Sequence, residues 1–133
     1  MNGAVHGVPR ALLRLEAAAL LVGAVLAYRH LGGGWGFFAA TFLLPDLAML
    51  GYLAGPRWGA RAYNLTHATL LPAGLLAVAW GLDAHLGVLA ALVWLAHVGF
   101  DRALGYGLKY GSAFGDTHLG RIGWRRRAAT MRG

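Results

Sequence analysis

Four apolar stretches, each close to the length that crosses a lipid bilayer, constrain this chain more than any other feature. They lie at residues 12–28, 35–54, 60–81 and 86–104. The hydrocarbon core of a bilayer is about 30 Å thick and needs about 20 apolar residues in a helix. The connections between the stretches are short, so consecutive helices should be antiparallel. We therefore predict an all-α, polytopic membrane protein, built as a four-transmembrane-helix up-down bundle.

The composition agrees with a membrane protein and excludes several other classes. Of the 133 residues, 58% are hydrophobic and 13% are charged, whereas about 25% of a soluble domain is charged. Such hydrophobicity excludes a disordered chain, and the absence of Cys excludes thiol catalysis and thiolate metal sites. The net charge is +7, but the basic residues are confined to short interruptions and the C-terminus and form no basic face on a soluble fold. Nucleic acid is therefore not an expected partner. The expected partners are the lipid bilayer and, because so small a bundle has little interior room, a second copy of the chain.

The basic residues predict the orientation of the bundle. In the four-span arrangement only Arg29 falls on one side of the membrane. The other eleven basic residues fall on the opposite side: Arg10, Arg14, Arg57, Arg61, Arg102, Lys109, Arg121, Arg125, Arg126, Arg127 and Arg132. Short cytoplasmic loops carry the excess of Lys and Arg, so both termini are expected in the cytoplasm. The first stretch also has features of a cleaved signal peptide, but Glu16 within it argues against that alternative.

The chain changes character after the fourth stretch. The prediction divides it into the transmembrane bundle at 1–104, an irregular Gly-rich cytoplasmic segment at 105–120, and a basic tail at 121–133. The middle segment has too many glycines for a stable helix. The tail has two alternative interpretations. It either lies on the inner membrane surface, where each basic residue gains about 1 kcal/mol from anionic lipid, or it is simply solvated.

A few ionisable residues interrupt the apolar stretches, and they are costly enough there to need an explanation. They are Glu16, Asp46, His67, His97 and Asp101. At a helical rise of ~1.5 Å per residue, they lie roughly 5 to 12 Å from the cytoplasmic ends of their spans. All four predicted helices therefore place an ionisable group in the same cytoplasmic third. We predict that these five residues form one site, opening toward the cytoplasm.

Helical spacing adds detail to this predicted site. His97 and Asp101 are four residues apart and share a helix face. Tyr63 and Asn64 precede His67 by four and three residues, which makes them candidate members of the site as well. Two prolines within the stretches are expected to kink their helices; the first of them directly precedes Asp46. Arg102 directly follows Asp101, and the two residues are candidates for a charge pair at the membrane interface.

Three functions are compatible with these residues. The first is a metal site, because three carboxylates and two imidazoles suit Fe, Mn or Zn; the Glu-x-x-His motif of bundle di-iron sites is absent. The second is metal-free acid–base catalysis by a His beside a carboxylate. Either could serve a small enzyme that acts on a lipid or amphiphile. The third is not enzymatic: a structural or accessory subunit, or a proton- or ion-handling protein, whose buried polar layer fixes helix packing.

A series of short motifs resembles one family of small bacterial integral membrane proteins, called domain of unknown function 4260. The motifs are Arg14-Leu15-Glu16, Leu44-Pro45-Asp46, Met49-Leu50-Gly51-Tyr52, Tyr63-Asn64-x-x-His67, Trp94-x-x-His97-x-x-x-Asp101-Arg102, Gly105-Tyr106-Gly107-Leu108-Lys109-Tyr110 and Phe114-x-Asp116-Thr117-His118-Leu119-Gly120. The resemblance covers about residues 12–120, and the Arg-rich extension departs from it. It implies a location in the bacterial cytoplasmic membrane and a helical architecture, with no activity attached.

The resemblance adds three candidate site residues beyond the last span: Asp116, Thr117 and His118. Lys109 in the Gly-rich segment is a further candidate. We hypothesise that their segment folds back over the mouth of the site. The alternative is a polar loop at the membrane interface.

Overall fold

The computed structural model describes residues 5–106, 108, 116–117 and 120–121, and in this part of the chain it is almost entirely helical. The elements in chain order are α1 (Gly7–His30), α2 (Trp35–Thr41), a 3₁₀ segment (Leu44–Ala54), α3 (Pro56–His67), α4 (Leu70–Gly81), α5 (His85–Leu104), β1 (Asp116–Thr117) and β2 (Gly120–Arg121). The two strands form a single antiparallel pair.

The last helix, α5, is the centre of the fold. Ten of its 20 residues are buried, against three of 24 in α1. The helices α1 and α4 both pack along α5, and α2 touches it. Close contact between α1 and α5 depends on Gly99, where a Cβ atom would lie 2.8 Å from the Ala17 carbonyl oxygen. Small residues permit this kind of helix approach in membranes.

The second predicted span, 35–54, contains a change of helix type. The α-helix ends at Thr41, and the chain continues as the 3₁₀ segment from Leu44. Pro45 explains this position, because a proline ring clashes with the carbonyl four residues earlier, which here is that of Thr41. The expected kink before Asp46 is therefore present, as a switch from α to 3₁₀ geometry.

The third predicted span, 60–81, is not one continuous helix. It is divided into α3 and α4, and Ala68 between them has an extended backbone with φ −76° and ψ 145°. Pro72 lies four residues after Ala68, so the same clash with the preceding carbonyl accounts for the break. Each half has 12 residues and a length of about 18 Å, which is shorter than a hydrocarbon core.

The 3₁₀ segment and α3 form a tight helical hairpin. The turn between them is Gly55, whose φ of +112° is a conformation that glycine adopts without steric cost. A Cβ atom on Gly51 would lie 2.9 Å from the Ala62 Cβ, and one on Gly59 would overlap the Tyr52 ring. These close contacts fix the 3₁₀ segment against α3 along its length.

Within the described residues, three helical stretches are long and apolar enough to cross a membrane: Gly7–His30, Trp35–Ala54 and His85–Leu104. The chain thus has the apolar helices of a membrane protein. The end of α5 is sharply defined: the Gly105 amide donates to the Arg102 carbonyl and the Tyr106 amide to the Asp101 carbonyl. This pairing around a left-handed glycine is the Schellman motif, and it ends α5 at Leu104, within one turn of Asp101 and Arg102.

Candidate metal centre

Four side chains from three elements meet at one point: Asp46 of the 3₁₀ segment, His67 of α3, and His97 and Asp101 of α5. The two His Nε2 atoms are 3.0 Å apart. The Asp46 Oδ1 atom is 3.1 Å from each of them, and the Asp101 Oδ2 atom is 3.2 and 3.1 Å from them. All four atoms lie within 4.8 Å of one another.

Local structure explains how each of these residues reaches the meeting point. Asp46 follows the Pro45 switch in helix type, and His67 is the last residue of α3 before the break. His97 and Asp101 are one helical turn apart on the buried face of α5. The two interrupted segments therefore supply one residue each, and the uninterrupted central helix supplies a pair.

The proton position on His67 follows from its second ring nitrogen. The His67 Nδ1 atom is 2.9 Å from the Tyr63 carbonyl oxygen, which only accepts hydrogen bonds. In the neutral tautomer that carries its proton on Nδ1, this contact is a hydrogen bond and Nε2 presents its lone pair to the other three residues. A histidine that ligates a metal through Nε2 commonly donates its other N–H to a backbone carbonyl in this way.

Four electron-pair donors this close to one another are held together either by protons on the imidazoles or by a cation between them. In a tetrahedral site with metal–ligand bonds of 2.0–2.1 Å, neighbouring ligand atoms lie about 3.3 Å apart, and in an octahedral site about 3.0 Å apart. Five of the six distances in the cluster are 3.0–3.2 Å, near this spacing and also within the range of hydrogen bonds, and all six are within 4.8 Å. The donor set of two imidazoles and two carboxylates suits Fe, Mn or Zn.

The cluster is buried on its histidine side and accessible on its carboxylate side. The His67 and His97 side chains are 4% and 1% exposed, whereas Asp46 is 35% and Asp101 is 16% exposed. The His97 ring packs edge-on against Phe42, with centroids 5.1 Å apart. A bound ion would therefore be shielded by the helices on one side and reachable by a small molecule on the other.

Residues around the cluster hold the α3 end in place. The Tyr63 ring stacks on His67 with centroids 3.7 Å apart and planes 6° apart. The Arg102 Nη2 atom donates to the His67 carbonyl over 3.2 Å. The Trp94 indole N–H donates to the Thr66 carbonyl. Side chains of α5 thus satisfy carbonyls that the break after α3 leaves without helical partners.

Sequence reasoning missed two of these contributors, Thr66 and Trp94. The Thr66 Oγ1 atom is 2.9 Å from the His67 Nδ1 and donates to the Pro45 carbonyl over 3.1 Å. It therefore links the two interrupted segments beside the cluster. The spacing of Trp94, three residues before His97 on the same face of α5, was a signal that pointed to it.

The predicted convergence of five ionisable residues is corrected to four. Glu16 is exposed on α1 and is not part of the cluster. Its predicted depth in the membrane matched that of the other residues, but its position around the axis of α1 turns it away from α5. The α1 residues that are buried include Ala17 and Ala24 instead.

The remaining candidates lie at varying distances from the cluster. Tyr63 and Arg102 contact His67, as described above. Asn64 is half-buried on α3, and its carbonyl accepts the Ala68 amide over 2.8 Å. Asp116 and Thr117 form β1, and their side chains, like all of Lys109 and His118, lie outside the described residues. The predicted fold-back over the site therefore stays a prediction.

One family model matches residues 10–122, and it is described as a domain of unknown function, DUF4260. The chain belongs to this family. The match confirms the resemblance seen in the sequence motifs. It includes all four residues of the cluster in this DUF4260 protein. No curated protein and no solved structure matches the chain.

Proposed function

We propose that this DUF4260 protein is an integral membrane metalloprotein that holds one Fe, Mn or Zn ion between Asp46, His67, His97 and Asp101. We further propose that the ion acts in a reaction on a lipid or amphiphile. The observation that carries the proposal is the meeting of four ligand atoms, with five contacts of 3.0–3.2 Å. The exposed carboxylate side supports a catalytic role, because catalytic metals keep a position open for water or substrate.

The proposal includes a membrane arrangement. The broken α3–α4 segment is the third of four spans, and its non-helical residues are accommodated because the protein itself satisfies their carbonyls. Both termini lie in the cytoplasm of a bacterium, by the distribution of basic residues, and the cluster lies in the cytoplasmic third. Two copies of the chain associate through exposed apolar helix faces.

The same cluster supports a structural alternative. It connects α5 with the hairpin of the 3₁₀ segment and α3, and these two parts of the fold share mainly polar contacts from His67, Trp94 and Arg102. In this alternative the cluster, with or without an ion, fixes helix packing and performs no reaction.

Elemental analysis of detergent-purified protein tests the metal site. We expect about one Fe, Mn or Zn ion per chain, retained through dialysis, with loss of the ion in Asp46→Ala and in His97→Ala. Glu16→Ala is the control, since it removes a carboxylate of similar depth that lies outside the cluster. Wild-type protein that takes up none of the three metals after their separate addition would overturn the proposal.

Lipid analysis separates the enzymatic function from the structural one. Metal-loaded protein in nanodiscs made of total bacterial lipid should change the mass of at least one lipid class, and Asp101→Asn protein should not. A stoichiometric ion with no change in any lipid would support the structural alternative instead.

A further inference from the structure

An apolar cavity of about 300 Å³ lies directly beside the cluster. Two of its lining residues, Pro45 and Thr66, directly precede Asp46 and His67 in the chain. A third, Trp94, lies one helical turn before His97. Along α5 the residues Ala90, Trp94, His97 and Asp101 are spaced by four, three and four, which places them on one face of the helix. The cavity and the cluster therefore follow one another along one face of α5, over about 16 Å from residue 90 to residue 101.

The described side chains that line the cavity have no free hydrogen-bond donor to offer a ligand. The Thr41 hydroxyl donates to the Phe37 carbonyl over 2.7 Å, and the Thr66 hydroxyl donates to the Pro45 carbonyl. The single N–H of Trp94 donates to the Thr66 carbonyl. A sugar or nucleotide would lose most of its hydrogen bonds to water here and find no donor in exchange, which disfavours such polar ligands.

The cavity opens at the outer surface of the apolar helices. Its rim includes Leu44 and Leu75, which are 53% and 37% exposed, and Leu44 belongs to one of the stretches able to cross a membrane. Its volume is at the lower end of the range for small-molecule pockets, which favours one hydrocarbon chain over the two chains of a phospholipid.

We propose that this cavity binds the single alkyl chain of an amphiphile and thereby presents the polar head of that molecule to the Asp46–His67–His97–Asp101 cluster. The inference rests on the proposed function, since it names the substrate class of the same site. The amphiphile enters sideways from the hydrocarbon core. Its chain occupies the space between Leu75, Ala90 and Trp94, and its head lies on the carboxylate side of the cluster, where Asp46 is exposed.

Trp94 provides a direct reporter of the occupant, because bromine atoms on an alkyl chain quench the fluorescence of a tryptophan they touch. The test uses metal-loaded protein in which the other four tryptophans are replaced by Phe, in nanodiscs of unbrominated lipid. The probe is a bromoalkyl fatty acid, and a dibrominated two-chain phospholipid is the comparison. We expect saturable quenching by the fatty acid and only a shallow, linear response to the phospholipid.

Variants that fill the cavity complete the test. Ala90→Phe should raise the fatty-acid concentration for half-quenching at least about tenfold. Leu75→Phe, at a partly exposed residue of the same cavity, is a second filling variant and should raise it as well. Ala77→Phe is the matched control, because Ala77 lines a different apolar cavity of about 400 Å³ between α1, α4 and α5.

The metal content of every sample separates this inference from the proposed function. Unsaturable quenching, or saturable quenching unchanged in Ala90→Phe, in protein that retains its metal would overturn the alkyl-chain site alone. Saturable, Ala90-dependent quenching in protein that binds no metal would keep the alkyl site and overturn the metal centre.

Discussion

Replacing Asp101 by Asn tests the metal centre most sharply, because it changes one ligand atom and almost no volume. The Asp101 Oδ2 atom contacts both histidines, at 3.2 and 3.1 Å from their Nε2 atoms. An amide oxygen at this position carries no formal charge and is a weaker ligand. Changes that only disturb the groups around a metal ligand lower affinity 10–100-fold, so we expect the loss of a ligand charge to cost at least about 100-fold.

This loss has a calculable effect on stability. A ligand present at 100 times its Kd stabilises the folded state by about 2.7 kcal/mol. At the same metal concentration, a variant with 100-fold weaker binding gains only about 0.4 kcal/mol. The metal-induced stabilisation should therefore fall by about 2.3 kcal/mol, whatever the relative stabilities of the two metal-free proteins.

The measurement is thermal unfolding in detergent, for each protein with and without the metal. Asp83→Asn is the matched control, because Asp83 lies in the turn before α5, away from the cluster, with a φ of +52° that Asn also adopts. The control should keep the full metal-induced shift. An equal shift in Asp101→Asn and wild-type protein would refute the assignment of Asp101 as a ligand.

Three further predictions concern the groups that build the site. Thr66→Val removes the hydroxyl beside the α3 histidine and should weaken metal binding about 10–100-fold in a competition titration; Thr66→Ser should restore it, and a Ser variant as weak as Val would argue against a role for the hydroxyl. Gly99→Ala places a methyl group against the α1 backbone and should lower the free energy of unfolding by about 1–3 kcal/mol. Gly23→Ala, with open space around it, should instead be neutral or stabilise α1 by up to about 1 kcal/mol; equal effects of the two would contradict the close α1–α5 contact. Trp94→Phe leaves a carbonyl at the helix break without its donor and should cost about 1–3 kcal/mol in thermal unfolding, whereas Trp58→Phe at an exposed position should cost little.

The sequence predicted the membrane character of the fold because apolar length and composition are local properties. Residues 7–30, 35–54 and 85–104 could be recognised without any knowledge of their neighbours. It did not predict the interruptions in full. Pro45 and Pro72 signalled kinks, but the extent of each break depends on whether other helices satisfy the freed carbonyls, as Trp94 and Arg102 do here.

The candidate site divides in the same way. The depth of Asp46, His67, His97 and Asp101 followed from the sequence alone, because each residue adds a fixed rise along a helix. The rotation of each helix about its axis did not follow, because packing against α5 determines it. Glu16 has a suitable depth but is exposed on α1, while the break after His67 directs that ring to His97 over 3.0 Å. The sequence thus predicted which ionisable residues share a layer, and only the tertiary structure decided which of them meet.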